Sequence, residues 1–250
     1  MDWLPIVLTV VAGVAMGAIN NVAGGAGVLG LVAFEHFFKL PLECANASTR
    51  VAAVAVGAFS CLGFVAAGRK IPRRAYGHAL IALPGALLGA QLALGLPPLA
   101  FRGYLIVVII LLLRQQLRPI ETSRQPSAFW LQALGAFLIG LHMGYVQVGT
   151  GLVVALALSR AYGQDMIALN AAKSIVVIVT AVTSATRLAL AGAVSWTPAI
   201  TLAVGCAIGS FAASKWSVRR GGESVRRIVL VIAALTLLEQ LRQIVLLVSQ

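Results

Sequence analysis

Acidic residues are scarce. The 250-residue chain holds 7 Asp plus Glu against 19 Lys plus Arg, and charged residues make up only 10% of it, where a soluble domain carries about 25%. Asp2, Glu35, Glu43, Glu121, Asp165 and Glu223 lie at or between the ends of apolar segments. Glu239 alone sits within one, with Arg242 three residues on to pair with it on a helix face. A site for a metal or an organic cation needs carboxylates at depth, so no metal site is expected and a carboxylate proton relay is disfavoured. Cys44, Cys61 and Cys206 show no CxxC or ligand spacing and read as buried free thiols. The chain lacks both a Gly-x-Ser-Gly signature and paired intramembrane Asp residues. Intramembrane proteolysis is thereby left without its chemistry, and neither an enzyme nor a cofactor is expected. "MDWLPIVL" has no basic n-region, which argues against a cleaved signal peptide.

Apolar residues are abundant, at 60%. Eight apolar segments run over about 4–34, 45–67, 75–95, 99–117, 128–159, 167–191, 196–217 and 225–246. Most suit a single bilayer crossing of roughly 20 residues; the first and fifth are longer. Continuous apolar runs exclude the alternation of a β-barrel. The expected class is an all-α polytopic membrane protein. The net charge of +12 comes from cations between the apolar segments, where the positive-inside rule accounts for them, so nucleic acid is not an expected partner and the lipid bilayer is.

A shift of 124 residues lays one half on the other without a gap. Gly25-Ala26-Gly27 falls on Gly149-Thr150-Gly151, Asn46 on Asn170, Gly68 on Gly192, Gly85 on Gly209 and Arg102 on Arg226. Two repeats are read, 1–120 and 121–250. If each long segment folds into a re-entrant pair, each half crosses three times, and the basic stretches "GRKIPRR" (68–74), "RQQLRPIETSR" (114–124) and "KWSVRRGGESVRR" (215–227) all lie inside. The architecture expected is therefore two inverted repeats, each a broken, re-entrant helix pair plus three transmembrane helices, with the N-terminus outside.

"NNVAGGAGVLG" (20–30) interrupts the first segment and "GYVQVGTG" (144–151) the fifth. Irregular backbone at membrane depth survives only where protein or a polar cavity covers it. Matching interruptions in two halves point to a transporter's binding site. A helix that starts after a Gly-rich turn offers unpaired N–H groups and a dipole suited to an anion. Candidate binding groups are the backbone at Gly24, Gly25, Gly27, Gly149 and Gly151 and the side chains of Asn20, Asn21, Gln147 and Thr150. The second and sixth segments open on "ANASTRVAAV" (45–54) and "LNAAKSIVVI" (169–178). They add Asn46, Thr49, Asn170 and Ser174, with helix capping as the competing role, Lys173 to balance charge, and Arg50 either to do the same or to snorkel to the interface. His142 is a candidate for proton coupling or a packing residue. Gly13/Gly17, Gly85/Gly89 and Gly140/Gly144 read as helix-packing pairs.

At "NNVAGGAGVLG", "GYVQVGTG", "NAAKS" and "GAVSW" (192–196) the chain resembles the TauE/SafE family of sulfite exporters and related anion permeases. The resemblance spans essentially the whole chain. It implies transport of sulfite, an organosulfonate such as sulfoacetate, or another small sulfur-containing anion across a bacterial inner membrane. An anion channel with the same site is the alternative. H+ or Na+ as a coupling ion stays open.

Overall fold

The computed structural model describes residues 3–22, 26–95, 97–117, 128–162, 165–220 and 242. The described residues form nine helices: α1 (Trp3–Val22), α2 (Gly27–Phe37), α3 (Leu42–Ala66), α4 (Arg74–Gly95), α5 (Pro98–Leu117), α6 (Phe129–Tyr145), α7 (Thr150–Tyr162), α8 (Met166–Leu190) and α9 (Trp196–Arg220). Five of these, α1, α3, α4, α8 and α9, are long and apolar enough to cross a membrane. The expected eighth segment, apart from Arg242, lies outside the described residues, and with it Glu239.

The first and fifth apolar segments are each broken where the glycines and asparagines interrupt them, giving α1–α2 and α6–α7. The repeat spacing survives in the helix boundaries: moved by 124 residues, the ends of α3 fall on the ends of α8. Two of the repeated glycines share one conformation. Gly68 and Gly192 both have positive φ, 78° and 71°, two residues past the last residues of α3 and α8. Glycine closes a helix there because it alone enters the left-handed region without a Cβ penalty. A Cβ at either position would meet open space, so Gly68→Ala and Gly192→Ala should each cost about 1 kcal/mol from backbone conformation alone. Asparagine, which tolerates that region, should recover part of it in thermal unfolding.

Close approach of backbones sets the packing. Gly13 faces Leu202 and Gly205, and Gly17 faces Cys206 and Ser210; the numbers rise together, so α1 and α9 run parallel. Gly85 faces Phe137 and Leu141, and Gly89 faces Leu141 and Tyr145, so α4 and α6 run parallel too. At each of these glycines a Cβ would stand inside contact distance of a backbone carbonyl on the partner helix. The small-residue pairs expected for packing therefore do pack. In a bilayer, where no hydrophobic effect separates helix from lipid, such contact is what holds helices together. Helix α3 also runs with α9: the Ser195 N–H donates to Ser48 Oγ (2.9 Å) at one end, and Gly63 lies against Phe211 and Ser214 at the other.

Exchanging the halves leaves the main contacts unchanged. Contact α1–α9 maps onto α6–α4, α3–α9 onto α8–α4, and α3–α8 onto itself. The two halves are therefore interleaved. Helix α7 turns back beside α6, and its last residue, Tyr162, bonds through its hydroxyl to His78 near the start of α4 (2.9 Å). Helix α2 turns back in the same way, with Gly30 against Met16 of α1.

Candidate functional site

The second break is fully described. Helix α6 stops at Tyr145, Val146 is extended, and Gly149 takes φ 74° before α7 opens at Thr150. Of the first break, Gly24 and Gly25 lie outside the described residues, while Ala26 and Gly27 are buried. The two breaks touch. A Cβ on Gly27 would collide with the carbonyl of Gln147 and crowd the Cα of Val148, so glycine at 27 is what lets the start of α2 lie on the second break.

Each helix that ends at a break, α1 and α6, meets a cation from the other half. Arg50 on α3 is fully buried; it donates through one guanidinium nitrogen to the Met143 carbonyl and to Gln147 Oε1 (3.0 Å), and through another to Asn46 Oδ1 (3.0 Å). Asn46 in turn donates to the Tyr145 carbonyl (3.1 Å). On α8, Lys173 donates to the carbonyls of Asn20 (2.9 Å) and Asn21 (3.1 Å). These four carbonyls belong to the last turns of α6 and α1, which have no intrahelical donors and carry the negative end of the helix dipole. One acceptor is shared between the repeats, since Tyr145, bonded by Asn46, is the repeat partner of Asn21, bonded by Lys173. Both expected cations are thus brought to the breaks; Lys173 bonds to helix carbonyls, and Arg50 to one helix carbonyl and two side-chain amide oxygens.

The remaining candidates divide. The Thr49 hydroxyl donates to the Asn46 carbonyl (2.7 Å) and Ser174 to that of Asn170 (3.2 Å), each back along its own helix. Asn170 is only half-buried, and Gly151 lies in the first turn of α7. Asn21 donates to the Ser210 carbonyl of α9 (3.1 Å). His142 has both ring nitrogens engaged. Its Nε2 lies 2.7 Å from the Val148 carbonyl, which can only accept, so that nitrogen carries the proton. The Tyr104 hydroxyl lies 2.6 Å from Nδ1 and donates to it when the ring is neutral. Tyr104 on α5 also stacks edge-on with Tyr145 at 5.0 Å between centroids, and Phe101 does so at 5.4 Å. Helix α5 thus covers a break from the other half. Nothing local in the sequence marked Tyr104, Phe101 or Ser210, whose roles arise only across the fold.

Several buried side-chain atoms around the breaks have no hydrogen-bond partner among the described residues: Asn20 Oδ1, Asn21 Oδ1, Arg50 Nε, Gln147 Nε2 and Thr150 Oγ1. Native interiors satisfy nearly all such groups, so these atoms stand out. The α7 ladder begins with the Val153 N–H on the Gly149 carbonyl (3.1 Å). The N–H groups of Thr150, Gly151 and Leu152 precede it, at the positive end of the helix.

The family model described as sulfite exporter TauE/SafE matches residues 9–239. The chain belongs to this family. As a TauE/SafE member it is an integral membrane protein, a transporter of the sulfite-exporter type and not an enzyme. No curated protein matches the chain. The family motifs have physical readings in this TauE/SafE member. In "GAVSW", Gly192 closes α8 with its positive φ and Ser195 is tied to Ser48; in "NAAKS", Lys173 caps α1.

Proposed function

We propose that the protein is a secondary transporter carrying a small sulfur-containing anion, sulfite or an organosulfonate, out across a bacterial inner membrane. The observation that carries the reading is the contact of two matching helix breaks, Gly27 on Gln147, amid buried polar atoms without partners. Residues 1–120 and 121–250 are read as inverted repeats. Support comes from direction: α1 runs parallel to α9, and its repeat partner α6 runs parallel to α4, while the repeat partners α3 and α8 run in opposite directions, Gly57 lying against Ser174 and Ile178 and Ala47 beside Leu188.

The same directions support an N-terminus outside. The exposed cations Arg69, Lys70, Arg73 and Arg74 and the Lys215 end of α9 share one face, as the positive-inside rule requires of the cytoplasmic side. Exposed aromatics suit both interfaces: Trp3 and Trp196 begin α1 and α9, whereas Trp130 and Tyr76 begin α6 and α4. The glycine contacts lock α1 to α9 and α6 to α4, so alternating access is assigned to movement of the break regions with α2, α7 and α5. Rocking one whole repeat against the other would part those contacts. With both nitrogens of His142 bonded, we assign it to holding the second break.

The test is thermal unfolding of the purified protein with sulfite, sulfoacetate, methanesulfonate, sulfate, phosphate and chloride at equal ionic strength. A sulfur oxyanion at about 100 times its dissociation constant should add about 2.7 kcal/mol. Reconstituted protein should then exchange labelled substrate against unlabelled. Stabilisation without such exchange would indicate a channel, and no selective stabilisation would overturn the reading.

A further inference from the structure

The unpartnered atoms at the second break differ in kind from the cations beside them. The guanidinium of Arg50 has no acceptor, so it can face only the oxygen of the Gln147 amide. This fixes the flip of that amide and turns both hydrogens of Nε2 away from the cation. Gln147 is 1% exposed and its Nε2 has no partner. Three residues on, Thr150 is fully buried and its hydroxyl is unpartnered as well. The two flank the Gly149 turn at the positive end of the 13-residue helix α7. Meanwhile the two terminal nitrogens of Arg50 are directed at the Met143 carbonyl and two amide oxygens, leaving only its Nε unpartnered, and the ammonium of Lys173 is directed at the carbonyls ending α1.

We infer that the anion is held by uncharged donors of the second break, namely Gln147 Nε2, Thr150 Oγ1 and the first N–H groups of α7. Arg50 is a positioning residue that aims the Gln147 amide. The inference rests on the transport reading and narrows its substrate to a monoanion, a sulfonate or hydrogensulfite. A helix N-terminus acts as roughly half a positive charge, so with neutral donors it suits a singly charged ligand better than a doubly charged one. A second charge on the ligand would find as cationic donor at this break only the Arg50 Nε–H, the other bonds of Arg50 being made to carbonyl and amide oxygens, which disfavours sulfate and the sulfite dianion relative to a monoanion.

The test is a thermal-shift titration of the full chain with methanesulfonate, a permanent monoanion, and with sulfate, at equal ionic strength. Methanesulfonate should stabilise the wild type and sulfate should not. Thr150→Val should weaken the methanesulfonate midpoint about tenfold, and Thr150→Ser should restore most of it. Gln147→Glu should abolish the shift yet keep or raise the ligand-free melting temperature, because its carboxylate pairs with Arg50. Arg50→Lys should weaken binding in the wild type but add nothing in a Gln147→Ala background, the non-additivity of a residue acting through another. Additive losses would overturn the positioning role. Unchanged midpoints in Thr150→Val and Gln147→Glu, or a preference for sulfate, would overturn the subsite while leaving the transport reading intact. A wild type that no sulfur anion stabilises would overturn both.

Discussion

Alanine at Gly140 should leave little folded protein. Its Cβ would press into the Ala82 carbonyl and crowd the Ala82 Cα. None of these atoms is the free end of a side chain, so relief requires α6 to move off α4. Overpacking a core costs about 1–3 kcal/mol when side chains can yield, and here the backbone itself must move, so at least about 3 kcal/mol is expected by the same reasoning. Gly209 should respond alike, since its Cβ would meet the Val14 carbonyl at the equivalent junction of α9 with α1. The measurement is recovery of monodisperse protein in detergent and its melting temperature. Gly77→Ala and Gly103→Ala are the controls. Both lie within helices, and a Cβ there meets nothing within 4 Å. They should be neutral or gain up to about 1 kcal/mol from helix propensity. Equal damage at all four would refute close packing as the cause.

The second large effect is at Arg50. Arg50→Met is close in length, removes the charge, and strands the Met143 carbonyl, Gln147 Oε1 and Asn46 Oδ1 where Arg50 itself is fully buried. Two effects oppose each other. Removing a buried guanidinium relieves its desolvation, whereas each stranded acceptor costs about 1–3 kcal/mol. Three acceptors of which one ends a helix should outweigh the relief, so a net loss of about 3 kcal/mol is expected. Lys173→Met strands two carbonyls and should lose less. Thermal unfolding without ligand reads both. A more stable Arg50→Met would mean that desolvation dominates and that the arginine is kept at a cost to the fold.

The breaks were legible because glycine and asparagine are costly inside an apolar helix, so their recurrence at one spacing carried information that Ala and Val could not. Gly68 and Gly192 illustrate this: a local backbone need, repeated, left a visible mark. The meaning of the buried cations was not legible. In sequence, Arg50 and Lys173 sit in apolar runs that lack acids, which reads as charge awaiting a substrate. The structure directs them to carbonyls 93 and 153 residues away, and a backbone carbonyl has no letter of its own. His142 was ambiguous for the same reason, since the Tyr104 hydroxyl that meets its ring comes from another helix.

The interleaving of the halves bears on how the chain reaches this state during synthesis. Helix α1 finds its glycine-lined partner only in α9, which begins at Trp196, and its last carbonyls meet their donor at Lys173. Helix α1 therefore waits, with its close-packing face open and its end uncapped, until α8 and α9 have been made. High contact order of this kind slows assembly and prolongs exposure of unfinished surfaces. The lipid, or a helper in it, must shelter α1 until α9 arrives.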